Sequence, residues 1–364
     1  MYAQRLDRVR RRMDELGVDV LLLSIGADLP YLTGYRAMPL ERLTMLVVPA
    51  GDDATLVVPR LEAPRVVERP EVFTVRAWEE TEDPVSLVAG LAGRARTLAV
   101  GDRTWARVVL DLQARLTAAS WRPGSEVVGP LRAVKDAAEV ESLRRASAAA
   151  DEVALQLQAG DVPLVGRTEG EVSADLGRRL VAAGHAEVNF AIVAAGANAA
   201  SPHHQPGGRV IERGEVVLCD FGGTMPDGYC SDMTRCVVTG EPPAQLREVH
   251  AVLERAQAAA VDAAVVGAAC EEVDAVARRH IADAGYGDHF IHRTGHGIGL
   301  EEHEDPYLVV GNPESLVPGH AFSVEPGIYL DGRFGVRIED IVVATADGPR
   351  PLNRAPHGLA VVEA

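Results

Sequence analysis

Val216–Thr239, VVLCDFGGTMPDGYCSDMTRCVVT, is the stretch whose reading decides the fold of this chain. Runs rich in Val, Thr, Tyr and Cys flank Met225-Pro226-Asp227-Gly228, and strand formers on both sides of a Pro/Asp/Gly turn predict a β-hairpin. Loop length then sets the register. With Pro226-Asp227-Gly228 as a three-residue loop and Gly228 left-handed, Met225 faces Tyr229, and Asp220, Gly222, Asp232 and Thr234 share one face. A two-residue loop moves the pairing by one and sends the two acids to opposite faces. The longer loop is the reading adopted. Two carboxylates side by side on a hairpin repel unless a positive charge lies between them, which is how a dinuclear metal site begins. Taken alone such a pair is more often an ordinary solvated surface feature, so the remaining sequence has to decide.

The chain has 364 residues, 47% hydrophobic and 4% aromatic, long enough for two domains with two cores. A formal charge of -17 argues against nucleic acid or an anionic membrane as a partner. The basic residues are nearly all Arg, with Lys135 the exception, and this is read as genome composition. Cys219, Cys230, Cys236 and Cys270 show no CxxC spacing and lie in apolar patterns, so they are expected to be buried reduced thiols. The N-terminal MYAQRLDRVRRRMDELG is a charged amphipathic helix without an apolar signal core. No apolar run approaches the roughly 18 residues of a membrane span. A soluble cytoplasmic protein is expected.

Residues 4–16 place Leu6, Val9, Met13 and Leu16 at helical spacing, ended by Gly17. Strands at 18–24, 43–48, 55–58 and 97–100 and helices at 85–92 and 106–116 complete an alternating pattern to about Val128. This is an α/β domain of residues 1–128 without a cluster of catalytic residue types. A boundary near Gly129 precedes a long helix at 137–158 that Asp136 can cap. A helix at 169–183, a strand at 188–194, the hairpin, and helices at 243–265 and 270–284 follow. Residues 129–364 therefore read as α+β, with no GxGxxG or P-loop.

Four further segments of this second domain carry chemistry: Ser201-Pro202-His203-His204-Gln205; Thr294-Gly295-His296-Gly297 through His303-Glu304; Phe322-Ser323-Val324-Glu325-Pro326-Gly327-Ile328-Tyr329; and Gly335-Val336-Arg337-Ile338-Glu339-Asp340. A pairing centred on Asp331-Gly332 sets Glu325 across from Glu339 and Gly327 across from Arg337. Glycines on both sides of His296 let its backbone approach a neighbour closely. If Asp220, Asp232, Glu325 and Glu339 converge, about four negative charges gather at low dielectric, at a cost of many kcal/mol without compensation. Two divalent cations neutralise them. Carboxylates with one imidazole suit Mn, Co or Fe, with Zn as a further option.

At these residues the chain resembles the pita-bread metallopeptidase family, which includes methionine aminopeptidase, aminopeptidase P and prolidase, with creatinase as a metal-free relative. The resemblance spans essentially the whole chain: the second domain matches the catalytic domain motif by motif, and the first is similar to the creatinase-type N-terminal domain of the proline-specific branch. It implies a pair of divalent ions, manganese foremost, with Asp220 on one, His296 and Glu325 on the other, and Asp232 and Glu339 bridging both. It implies a hydroxide between the ions as nucleophile, His203 and His303 facing the substrate, Glu325 as proton shuttle, and Thr234 and Arg337 orienting ligand carboxylates. The implied activity is hydrolysis of the Xaa-Pro bond at the N-terminus of dipeptides or short peptides, and the implied assembly is a homodimer.

Two departures stand out. The interval between the aspartates is one residue longer than in many relatives, an insertion assigned to the Pro226–Gly228 turn. Some dipeptidases of the branch carry, after the His303-Glu304 motif, an arginine that grips the substrate carboxylate; here Tyr307 stands there, which weakens the case for strict dipeptides. His204, His292 and His320 read as loop or packing histidines. A creatinase-like C–N hydrolase and a non-catalytic binding protein on the same scaffold are the alternatives, both disfavoured by five intact ligand positions.

Overall fold

Leu6, Val9 and Met13 form the buried stripe of α1 (Tyr2–Leu16), and the helix stops where Gly17 turns left-handed at φ 63°. The structure, a computed structural model, describes residues 1–362. After α1 the N-terminal unit, which ends at Arg132, runs β1 (Val20–Leu23), α2 (Asp28–Thr33), β2 (Met45–Pro49), β3 (Ala54–Pro59), β4 (Phe73–Trp78), α3 (Pro84–Ala92), β5 (Thr97–Val100), α4 (Ala106–Arg115), β6 (Ser120–Pro123) and α5 (Ser125–Ala133). Its six-stranded sheet has the order β4-β3-β2-β1-β5-β6. β2 is antiparallel to both its neighbours, and the remaining pairs are parallel. Leu22, Met45, Val47, Val57, Val88, Leu98 and Leu112 pack into one core of this α/β unit.

Four of these elements lie outside the sequence reading. Pro30 reads as a breaker, yet it falls in the first turn of α2, where its missing N–H costs nothing. Gly129-Pro130, where the boundary is expected, lies inside α5; the compact units divide between Arg132 and Ala133. The strands β4 and β6 lie at the two edges of the sheet and are mostly half-exposed, so they lack a strong apolar pattern.

The C-terminal unit opens with α6 (Ala137–Gln158), capped by Asp136 through a reciprocal capping box with Glu139. Then come α7 (Glu169–Ala182), β7 (Glu187–Ala195), β8 (Val216–Thr224), β9 (Met233–Val238), α8 (Ala244–Ala263), α9 (Cys270–Asp283), β10 (Gly295–Gly297), β11 (Glu304–Leu308), β12 (Ala321–Val324), β13 (Gly327–Leu330), β14 (Phe334–Arg337), β15 (Asp340–Thr345), β16 (Gly348–Pro351) and β17 (Ala360–Val361). The strands form sheets of order β17-β9-β8-β7 and β11-β10-β12-β15-β16, with β13-β14 as a two-stranded ribbon.

Alternation along β8 divides its side chains between two helical layers. Val217, Cys219 and Phe221 pack with Leu157 of α6 and Leu176 of α7. Val216 and Leu218 join Val249 and Leu253 of α8, Val273 of α9, and Val324, Val336 and Val342 of the second hairpin. Asp220 has the parity of Val216 and Leu218, so it points to the inner side, between the sheets. All four cysteines are buried and reduced. Among the described residues, no helix is long and apolar enough to cross a membrane.

Candidate metal centre

In β8 and β9, Asp220 stands directly across from Thr234. The same register runs to the tip: Thr224 faces Cys230, the Met225 N–H donates to Tyr229 O at 2.9 Å, and Gly228 takes φ 98°. The three-residue loop is therefore the one read from the sequence, and it leaves Asp220 and Asp232 on one face.

The second hairpin keeps its register but not its ladder. Gly327 faces Arg337 in β13 and β14, and Val324 faces Asp340 in β12 and β15, so one pairing runs through all four strands. Between them the ladder opens at Glu325-Pro326 and Ile338-Glu339. Pro326 has no N–H to give. The Glu325 N–H donates instead to Thr294 O at 2.7 Å, and the Glu339 N–H to Thr234 O at 3.3 Å. The two glutamates thus face each other across a gap whose edges are tied to the His296 segment and to β9.

His296 enters from β10, whose flanking glycines permit the approach. A Cβ on Gly295 would lie 1.8 Å from Ser323 O, and one on Gly297 would lie 2.1 Å from Asp305 O. The His296 Nδ1–H donates to Gly297 O at 3.1 Å, which aims Nε2 at Glu325 Oε1, 3.1 Å away, and at Asp232 Oδ2, 3.7 Å away. Ligand atoms of Asp220, Asp232 and Glu339 lie within 4.8 Å of one another, as do those of His296, Glu325 and Glu339, and those of Asp232, His296 and His303. Glu339, Asp232 and His296 each belong to two groups, so the sets interlock.

The charges need a counterweight. Asp220, Asp232 and Glu339 are all at most 7% exposed. Burial, then the repulsion of Glu339 and Asp220, drives the Asp232 carboxyl well above the usual range; burial and the charges of Glu325 and Asp220 do the same to Glu339. Asp220 is raised by burial despite Arg337 beside it. For Glu325, burial is outweighed by its hydrogen bond to His296, which brings it to about 2. Asp220 Oδ1 is buried and has no partner. An orphaned carboxylate oxygen inside interlocking acid groups is a donor set that fits divalent cations, which would satisfy it and lower those pKa values together.

Around the acids lies a connected frame. The Arg337 Nη2–H donates to Asp220 Oδ2 at 2.6 Å, its Nε–H to Thr234 Oγ1 at 3.0 Å and its Nη1–H to Tyr329 Oη at 2.8 Å. Thr234 Oγ1–H donates to Glu339 Oε2 at 2.7 Å. Ser323 Oγ–H donates to Glu325 Oε1 at 3.2 Å and accepts the His296 N–H at 3.0 Å. Ser323 and Tyr329 stand in a segment singled out in the sequence but have no role there, because only the folded strands bring them to the acids.

The centre opens into a cavity of about 700 Å³, within the size range of small-ligand pockets. His203, His292, Arg293 and His303 line it together with Phe190, Ile192 and Ile291. The loop carrying His203 is anchored by its neighbour: His204 Nε2 lies 2.8 Å from the buried Glu169, which also accepts from Asn198 and the Ala195 N–H. His204 is thus a loop histidine, as read. His303 lies with its ring centroid 3.9 Å from that of His296. Partial withdrawal from water, then the proximity of His296 and Arg293, holds its pKa at about 4. His292 forms part of the cavity wall and packs on Tyr329, bonding its Oη at 2.8 Å.

Tyr307 stands behind the wall rather than in it. The Arg293 guanidinium covers the ring at 4.4 Å and donates to His303 Nδ1 at 3.4 Å. Glu304, next to His303, is ion-paired with Lys135, whose side chain is 1% exposed.

The family model for metallopeptidase family M24 matches residues 141–346, and that for the creatinase/prolidase N-terminal domain matches residues 5–134. The probable dipeptidase PepE of Mycobacterium tuberculosis is 43% identical over all of this chain and 97% of its own length. The Xaa-Pro dipeptidase of Lactobacillus delbrueckii subsp. lactis is 36% identical over 98% of both. The crystal structure of dipeptidase PepE from Mycobacterium ulcerans superposes with a TM-score of 0.91 at 44% identity, covering 99% of this chain and 98% of that one. With an N-terminal creatinase-type α/β domain and a pita-bread domain closing around interlocking acids and an imidazole, the chain belongs to metallopeptidase family M24.

Proposed function

We propose that this metallopeptidase is a cytoplasmic Xaa-Pro dipeptidase that also accepts short Xaa-Pro peptides, holding two divalent ions with Asp220, Asp232, His296, Glu325 and Glu339. The observation that carries this reading is the interlocking of two ligand groups through Glu339, with Asp220 Oδ1 left without any other partner. In this reading Asp232 and Glu339 would be shared between the ions, Asp220 would hold one, and His296 with Glu325 would hold the other. When bound, the ions supply Lewis-acid polarisation of the scissile carbonyl and lower the pKa of water.

The chain's own residues do the rest. His203 and His303, on the cavity wall, hold the carbonyl and steady its oxygen as charge develops there. Glu325, on the cavity wall beside His296, carries a proton to the proline nitrogen as it leaves. Thr234 and Arg337 fix the orientation of Glu339 and Asp220 through the hydrogen bonds given above. Phe190, Ile192 and Ile291 offer apolar wall to a pyrrolidine ring and an Xaa side chain. The relatives named as dipeptidase and Xaa-Pro dipeptidase support the substrate class.

The deciding experiment is product analysis on Ala-Pro and Ala-Pro-Ala with protein stripped of metal and reloaded with Mn, Co, Fe or Zn. Chelator-sensitive release of alanine, restored foremost by Mn, is expected. Undiminished hydrolysis after exhaustive metal removal would overturn the reading. A homodimer is part of the same proposal, and light scattering giving twice the mass of 38.7 kDa checks it.

A further inference from the structure

Two guanidinium groups line the cavity, and their circumstances differ. Arg337 is 3% exposed and committed to Asp220, Thr234 and Tyr329. Arg293 is half-buried, and among the described residues it forms no ion pair with any acid, including Glu302 on the same wall. The contacts that hold it are the ring of Tyr307 beneath it and Nδ1 of His303 at its edge. A planar cation stacked on an aromatic face keeps its in-plane N–H groups directed outward, the arrangement that suits a carboxylate.

Its place along the wall fixes which carboxylate. The His303 ring lies against that of His296, centroids 3.9 Å apart and tilted by 49°, and meets Arg293 at 3.4 Å, so Arg293 lies one imidazole beyond the metal centre. A dipeptide carries its terminal carboxylate one residue, about 3.5 Å of chain, beyond the scissile carbonyl. Ile291, 64% exposed, lines the same cavity and offers an apolar contact beside the cation. A C-terminal proline presents that pairing, an apolar ring followed by a negative charge.

Resting on the Xaa-Pro dipeptidase reading, we propose that Arg293, braced on Tyr307, binds the free carboxylate of the dipeptide and sets a preference for dipeptides over peptides amidated or extended beyond proline. Tyr307 then acts through Arg293 as a positioning residue.

The test compares Ala-Pro with Ala-Pro amide, which removes the charge and keeps the ring, on the metal-loaded full chain. The wild-type protein is expected to favour the acid by roughly 10- to 100-fold in kcat/KM, the range of hydrogen bonds to a charged group. In Arg293→Met that ratio falls towards one through KM for the acid, Arg293→Lys recovers part of it, and metal content matches the wild type. A wild-type ratio near one overturns the proposal without any variant. So does a parallel loss on both substrates in Arg293→Met, which marks a structural role, and so does a loss confined to an acidic Xaa such as Asp-Pro, which places Arg293 on the other side of the bond. Failure of the loaded wild-type protein to cleave either substrate instead overturns the peptidase reading itself.

Discussion

The two hairpins of the C-terminal unit each present a pair of acids to the same space, by opposite means. The first, β8 with β9, is continuous: Asp220 and Asp232 share a face because strand alternation puts them there, and an arginine from the other hairpin holds Asp220 in place. The second keeps one register from β12 to β15 but opens its ladder at Glu325 and Glu339, whose amides bond to other segments. A continuous ladder places side chains by parity alone. An opened one lets two elements stitch to their neighbours, and Glu325 and Glu339 become the joints between the His296 segment, β9 and their own hairpin.

Neutralising one shared acid from each hairpin gives the largest effect. Asp232→Asn and Glu339→Gln should each lower kcat/KM at least about 10³-fold, since Lewis-acid stabilisation is worth several kcal/mol, and should lower metal content by elemental analysis. Full metal content in either variant would show that the hairpins do not share the ions as proposed.

Proton linkage is the next test. Asp232 and Glu339 are raised by burial and by the repulsion of neighbouring acids, so the native metal-free chain keeps protons that the unfolded chain releases above about pH 4. Their contribution to stability is therefore present at low pH and declines as pH rises toward the raised values. Cations reverse the sign, because ligands must be deprotonated to bind them. Calorimetry should show the gap in Tm between loaded and stripped protein widening from pH 5 to pH 7.5; a gap that narrows would contradict the assignment.

Smaller effects separate the frame from the ligands. Thr234→Val and Arg337→Met each remove a bond that crosses between the hairpins, and each should weaken metal affinity by about 10- to 100-fold. The double variant should lose less than the product, because Arg337 also bonds Thr234. Least of all, Pro326→Ala should shift stability by about 1 kcal/mol or less and leave kcat/KM largely intact. The amides of Glu325 and Glu339 hold the ladder open from both sides, so proline is not its sole cause.

What was legible in the sequence follows from that contrast. The first hairpin could be read because turn length and period-two alternation are local, and the same rule placed Glu325 across from Glu339. The opening of the second ladder could not, since the Thr294 and Thr234 carbonyls that take those amides are far away in sequence. Arg293 is illegible for the same reason: its neighbours His303 and Tyr307 arrive only with the folded strands. Tyr307 was noticed for what it replaces, and its contact with Arg293 emerges only in three dimensions. In the N-terminal unit, helices with an apolar stripe were found and edge strands without one were not.

Lys135 is the one lysine in 364 residues, and its amine is enclosed against Glu304. Acylating reagents that colour lysines on most proteins therefore meet no side-chain amine on the native surface. Modification of Lys135 would instead count the moments when the C-terminal unit opens, giving this chain a built-in clock for its own unfolding.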